Sequence, residues 1–230
     1  MLPIKDDQPR YSAPFVTWFL IGLNLLIFLF EATLDRRSLN LLISQFGVVP
    51  SHLAGLLAGS PQYPLPAVAL PFFTSMFLHG SWMHVIGNMW FLFIFGDNVE
   101  DYLGHFKYLS FYILTGLIAM MTQVAINLHS SLPTVGASGA IAGVLGAYFV
   151  LYPRARVLTW FFVFVLWVPA WVILGYWFAL QFLSGTATVL AVQQDMGGVA
   201  FWAHVGGFIS GALLVKVFGE RGMRYPYAVE

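Results

Sequence analysis

Cysteine is absent from all 230 residues. That excludes disulfides, a cysteine nucleophile and a thiolate metal site. Charge is almost absent too: 9% of residues are charged, ten basic against ten acidic, where soluble domains carry roughly 25%. A zero net charge with no basic patch makes nucleic acid an unexpected partner. What fills the space is apolar, with 59% hydrophobic residues and 17% aromatic ones. Such a chain reads as an all-α polytopic membrane protein built as a single domain over 1–230.

A spanning helix needs about 20 mostly apolar residues. Six candidate spans result, at 15–34, 82–99, 108–128, 136–152, 157–183 and 203–218. The first apolar run exceeds the roughly 7–15 residues of a signal-peptide core, and no small-x-small site follows it, so it reads as a retained span. The polar break Asn127 to Thr134 separates the third span from the fourth. Ser184-Gly185-Thr186 and Gln193-Gln194 close the fifth. With the N-terminus inside, the inner loops hold Lys5, Arg10, Lys107, Arg154, Arg156, Lys216, Arg221 and Arg224, and the outer loops only Arg36 and Arg37. Positive charge collects on the cytoplasmic side, so both termini are expected there. Residues 35–81 form a long first loop with apolar content. Short helices lying partly in the membrane interface are expected in it, and Pro61, Pro64, Pro66 and Pro71 argue against one continuous helix there. No internal repeat supports an inverted-repeat transporter.

Polar side chains inside spans are costly and need a reason. In this topology the second, fourth and sixth spans all enter from the outer face. His84 and Asn88 lie early in the second, Ser138 in the first turn of the fourth and His204 in the first turn of the sixth. Four polar side chains thus fall at similar depth on one side. Gly139 and Gly143 on the fourth span, and Gly207 and Gly211 on the sixth, are spaced for close backbone approach in lipid. That packing would bring Ser138 and His204 within hydrogen-bonding reach. A serine with a histidine to take its proton is the minimal apparatus of a serine hydrolase. No Asp or Glu falls in a span near them, so a dyad fits better than a triad, with Asp195 in the preceding loop a weak third member. His84 and Asn88 share a helical face and, with the Ser138 backbone N–H, suit an oxyanion site. The plainer readings are a small packing residue for Ser138, a proton relay or satisfied core group for His204, and mutual hydrogen bonding for His84 and Asn88. A zinc site on His79, His84 and His204 lacks the His-Glu-x-x-His signature, and no metal is expected. His79 reads as a loop-fixing residue. Asp97, Glu100 and Asp101 sit at the inner end of span two, placed to cap or pair there.

The run His79-Gly80-Ser81-Trp82-Met83-His84-Val85-Ile86-Gly87-Asn88 resembles the signature of the rhomboid intramembrane serine proteases. Gly136-Ala137-Ser138-Gly139 resembles that family's nucleophile motif. Ala203-His204-Val205-Gly206-Gly207 resembles its base motif. The order of motifs, the six spans and the long first loop match as well, over nearly the whole chain. The resemblance implies a Ser138 nucleophile, a His204 general base and oxyanion stabilisation by His84 and Asn88. It implies no cofactor, and substrates that are single transmembrane helices of other membrane proteins, reached through the lipid bilayer and cut near the outer face. By the same resemblance the fifth span, with Pro169, acts with the loop before the sixth as a lateral gate. Small size suggests a bacterial inner-membrane enzyme. Ala142 stands where many relatives carry an aromatic that packs on the catalytic histidine, so another residue must supply that shelf. The rival from another class is a catalytically silent rhomboid-like protein that binds membrane clients. Retention of all four polar residues argues against it.

Overall fold

The computed structural model describes residues 1–190 and 199–219. Arg221 and Arg224, used above for orientation, lie outside these residues, as do Gln193, Gln194 and Asp195. Along the chain come strand β1 (Leu2–Asp6) and helix α1 (Phe15–Glu31). The first loop follows with α2 (Arg36–Phe46), α3 (Pro50–Leu57), α4 (Leu65–Thr74) and a 3-10 turn at Ser75–Phe77. Then come α5 (Trp82–Leu103), α6 (His105–Ile126) and α7 (Ser138–Leu151). Strands β2 (Arg156–Phe161) and β3 (Phe164–Pro169) precede α8 (Ala170–Leu190) and α9 (Phe201–Phe218).

The chain is a mostly helical polytopic membrane protein. Helices α6, α8 and α9 are long and apolar enough to cross a membrane. Helices α1 and α7 are apolar but shorter, at 17 and 14 residues. Helix α5 has 22 residues and carries Asp97, Glu100 and Asp101 in its last turns.

Those acids organise one end of the bundle. Helix α1 has no capping side chain of its own. The buried Glu100 carboxylate supplies one from α5, accepting from the Val16 N–H at 2.9 Å, the Thr17 N–H at 2.7 Å and the Thr17 hydroxyl at 2.7 Å. A negative group at a helix N-terminus satisfies orphan donors and complements the dipole. His105 Nδ1 lies 2.6 Å from the same carboxylate. Asp101 accepts from the Tyr11 N–H at 3.0 Å, and Asp97 lies 3.8 Å from Arg10.

The first loop is helical in pieces and not one continuous helix, as its prolines lead one to expect. Pro66 occupies the first turn of α4, where its missing N–H costs nothing. Pro71 lies buried inside α4 without ending it. Asp35 caps α2 by accepting from the Arg37 and Ser38 N–H groups at 2.8 and 3.1 Å.

Helix α7 is the centre of the molecule, with Gly139 through Tyr148 all buried. It packs on α9 through glycine. A Cβ on Gly211 would fall on the Gly143 backbone, and one on Gly207 on the Gly139 carbonyl. Small residues at this spacing permit that approach.

The region 157–169 requires a correction. The fifth span was expected to start at Val157, but its helix begins at Ala170. Residues 156–169 form an antiparallel hairpin that pairs with the N-terminal segment in the order β1-β2-β3. Pro169 ends β3 rather than kinking a helix. A continuous apolar run does not distinguish helix from strand by periodicity. The β-branched and aromatic residues Val157, Thr159, Trp160, Phe161, Phe164 and Val165 favour the strand.

Candidate active site

Ser138 opens α7 and His204 lies in the first turn of α9. The α7–α9 packing brings Ser138 Oγ to 2.8 Å from His204 Nε2. Ser138 has the first helical N–H of α7, a group with no intrahelical acceptor. Gln123 on α6 fixes the start of α9, its Oε1 accepting from the Ala203 N–H at 3.2 Å. His204 is buried, with 7% of its surface exposed.

Two residues absent from the sequence reading complete its surroundings. His204 Nδ1 lies 2.8 Å from Gln181 Oε1 on α8. A carboxamide oxygen there takes the Nδ1–H and leaves the Nε2 lone pair facing the serine hydroxyl. One turn earlier on α8, the Trp177 ring lies over the imidazole, with centroids 5.6 Å apart and planes at 35°. Trp177 thus supplies the shelf that Ala142 does not. The signal available in the sequence was a Gln in an apolar helix one turn after a Trp. Nothing local says which face of α8 meets α9.

Losing the Gln181 acceptor strands the Nδ1–H or moves the proton to Nε2, where it faces the wrong way for a base. A neutral hydrogen bond contributes about 1 kcal/mol, and more when its loss leaves a buried donor unpaired. Gln181→Leu is expected to slow reaction of Ser138 with a fluorophosphonate about tenfold, while Gln181→Glu, which keeps the oxygen, retains most of it. Equal rates in wild type and Gln181→Leu would remove this role.

His84 comes to the serine through Gly136. This glycine has φ +130°, and a Cβ there would meet His84 Cε1 and Nε2 at 2.7 Å and Ser138 Oγ at 3.6 Å. Only glycine takes that backbone conformation while leaving room for the ring. Ser81 caps α5 by accepting from the His84 N–H at 3.2 Å. Asn88 lies one turn on and is buried. Its Nδ2 is 3.0 Å from His79 Nε2. The partner of Asn88 is therefore His79, not His84. His79 is held in turn by its backbone N–H, which donates to the Glu31 carboxylate at 3.1 Å. Burial, and then the neighbouring His84, push the His79 imidazole down to about 4. It stays neutral at ordinary pH and accepts from the Asn88 amide. His79 fixes the loop as expected, and it also holds the carboxamide of Asn88.

Ser138, His204, His84 and Asn88 all line one cavity of about 660 Å³. Its walls are α5 from Met83 to Phe91, α7 with Ile141 and Leu145, and α8 with Trp177, Gly185 and Val189. Among the described residues, no Asp, Glu, Lys or Arg lines it. Negative charge developing there would be met by dipoles and N–H donors alone.

The Rhomboid domain family model matches residues 67–221, which contain all four of these residues. The chain is 33% identical to "Rhomboid protein 1, mitochondrial" of Saccharomyces cerevisiae over 144 residues, 60% of this chain and 39% of that protein. It is 27% identical to "Presenilin-associated rhomboid-like protein A, mitochondrial" of Danio rerio over 151 residues, 62% of this chain and 36% of that protein. It is 38% identical to "Rhomboid-like protein 11, chloroplastic" of Arabidopsis thaliana over 73 residues, 32% of this chain and 26% of that protein. The chain therefore spans between a quarter and two-fifths of the curated relatives it matches. With the family model covering well over half of its residues, this chain belongs to the rhomboid family.

Proposed function

We propose that this chain is an intramembrane serine endopeptidase that hydrolyses peptide bonds in or near transmembrane segments of other membrane proteins. The observation that carries the proposal is the 2.8 Å approach of Ser138 Oγ to His204 Nε2 in the wall of a cavity built between membrane helices. Ser138 Oγ attacks the substrate carbonyl carbon while His204 Nε2 takes the hydroxyl proton. The carbonyl oxygen becomes an oxyanion, met by the Ser138 N–H and by donors from His84 and Asn88. Collapse breaks the C–N bond, and His204 returns the proton to the leaving amine. Water, deprotonated by the same imidazole, then releases the acyl group. Gln181 orients the base through its 2.8 Å contact with His204 Nδ1.

The excess of Lys and Arg on one set of loops supports both termini in the cytoplasm and the Ser138 end of the bundle toward the outer face. The expected bacterial inner membrane finds no support among these relatives, whose printed names are mitochondrial or chloroplastic.

The test is labelling of the purified, reconstituted protein with a fluorescent fluorophosphonate. Labelling of the wild type and its loss in His204→Ala is expected. A folded wild type that neither labels nor cleaves a single-span substrate would instead mark a client-binding protein. For Asn88→Ala, turnover of a cleaved single-span substrate should fall on the order of 100-fold, the usual effect of removing one oxyanion donor. KM should change little, because the donor acts mainly in the transition state. An effect confined to KM would contradict that role.

A further inference from the structure

Helix α1 has no residue in the proposed chemistry, yet its C-terminal end supports one of the site residues. The 3-10 turn ends at Phe77 and α5 begins at Trp82, so residues 78–81 link two helical elements. Leu78 and Ser81 are extended there. His79 lies in this link and is 1% exposed. A buried main-chain N–H outside helix and sheet must find another acceptor. The His79 N–H finds the Glu31 carboxyl, with Oε2 at 3.1 Å and Oε1 at 3.3 Å.

Glu31 is the last residue of α1 and is buried. Among the described residues no cationic side chain forms an ion pair with it. An acid buried without a cation costs stability, so general packing does not account for it. The same helix end brings a second group to the link. The Phe28 ring meets Trp82 with centroids 4.8 Å apart and His79 with centroids 6.4 Å apart, both edge to face. Such pairs favour one relative orientation of the rings. The His79 main chain is thus tied to α1 through Glu31, and its ring is set against Phe28.

The orientation of that ring matters at the site. His79 Nε2 lies 3.0 Å from Asn88 Nδ2. A carboxamide nitrogen carries two N–H groups. One goes to His79, and the other is left for an oxyanion in the cavity that Asn88 lines. Without the first contact the carboxamide turns freely about its last torsion, which has no sharp minimum. It then presents its oxygen part of the time, and an oxygen there does not stabilise an oxyanion. Glu31 does not line the cavity. Its route to the site runs through the His79 main chain and then the His79 ring.

We propose that Glu31 is a positioning residue for the oxyanion donor Asn88, acting through His79. The inference rests on the protease reading above. It makes α1, which contributes nothing to the cavity wall, the splint of one oxyanion donor.

Such a relay predicts effects that do not add, whereas independent sites add. Cleavage of a single-span substrate in liposomes is measured for wild type, Glu31→Leu, Asn88→Ala and the double variant. Glu31→Leu is expected to lower kcat about tenfold, the effect of one lost hydrogen bond, with KM unchanged. In the Asn88→Ala background the same substitution should cost less than about twofold, since the donor it positions is gone. Glu31→Gln keeps an acceptor oxygen and should fall between wild type and Glu31→Leu. Equal losses of kcat in both backgrounds would mean a merely structural role and overturn the proposal, as would an unchanged kcat in Glu31→Leu. If Glu31→Leu does not fold, Glu31→Asp, which draws the carboxyl back by one methylene, is read against Asn88→Ala in the same way. A folded wild type that cleaves nothing removes the protease reading and this role together. A wild type that cleaves, with equal losses in both backgrounds, removes this role alone.

Discussion

Replacing Ser138 with alanine is expected to abolish proteolysis and fluorophosphonate labelling without unfolding the protein. Removing the nucleophile from a serine hydrolase costs on the order of 10^6-fold in turnover. The structural cost should be small. Ser138 is the first residue of α7, it is partly exposed to the cavity, and its Oγ bonds only His204 among the described residues. Alanine keeps the Cβ and favours the helix. The variant is checked by cleavage of a single-span substrate in liposomes and by thermal unfolding in detergent. Residual cleavage near the wild-type rate would remove Ser138 as nucleophile. Loss of cleavage together with folding would leave the role open, and Ser138→Thr, which keeps a hydroxyl, would then separate the two effects through labelling.

Gly211→Val should be the most damaging single change away from the polar residues. A Cβ on Gly211 meets the backbone of Gly143, which cannot swing aside as a side chain would. Overpacking of a rigid contact costs about 1–3 kcal/mol, and a backbone clash falls at or beyond the upper end. Helices α7 and α9 must part to relieve it. Ser138 and His204 sit on those two helices, so their 2.8 Å contact opens with the packing. Thermal unfolding in detergent should shift down by several degrees or more, and fluorophosphonate labelling should fall with it. Gly22→Ala is the control, since nothing lies within 4 Å of a Cβ there. Unchanged unfolding and labelling in Gly211→Val would mean that the α7–α9 approach does not set the site.

The sequence was most informative where local spacing encodes a contact. Gly139, Gly143, Gly207 and Gly211 announced a close helix pair, and two small-residue faces in lipid have few other ways to bury themselves. Ser138 and His204 follow from that pair because each lies in the first turn of its helix. The three acids in the last turns of α5 were legible as capping or pairing groups, although the α1 N-terminus that Glu100 caps was not. Trp177 and Gln181 were hidden for another reason. Helix α8 is apolar nearly all round, so its sequence does not mark a face. Its rotation against α9 is settled by packing. His79 looked like a loop residue, and its ring contact with Asn88 depends on how the first loop folds back over α5.

By itself the sequence determined the mostly helical membrane class and the polar residues that gather near one end of the bundle. Scarce charge and long apolar runs leave a chain few soluble alternatives, and four polar groups at one depth are not required by packing. Tertiary structure decided the rest. It chose Trp177 as the shelf and Gln181 as the partner of His204, because side chains from separate helices meet only after the bundle closes. It also made residues 156–169 a hairpin. An apolar run satisfies hydropathy equally as helix or strand, and pairing with the distant residues 2–6 tips the balance by filling the strand's backbone hydrogen bonds.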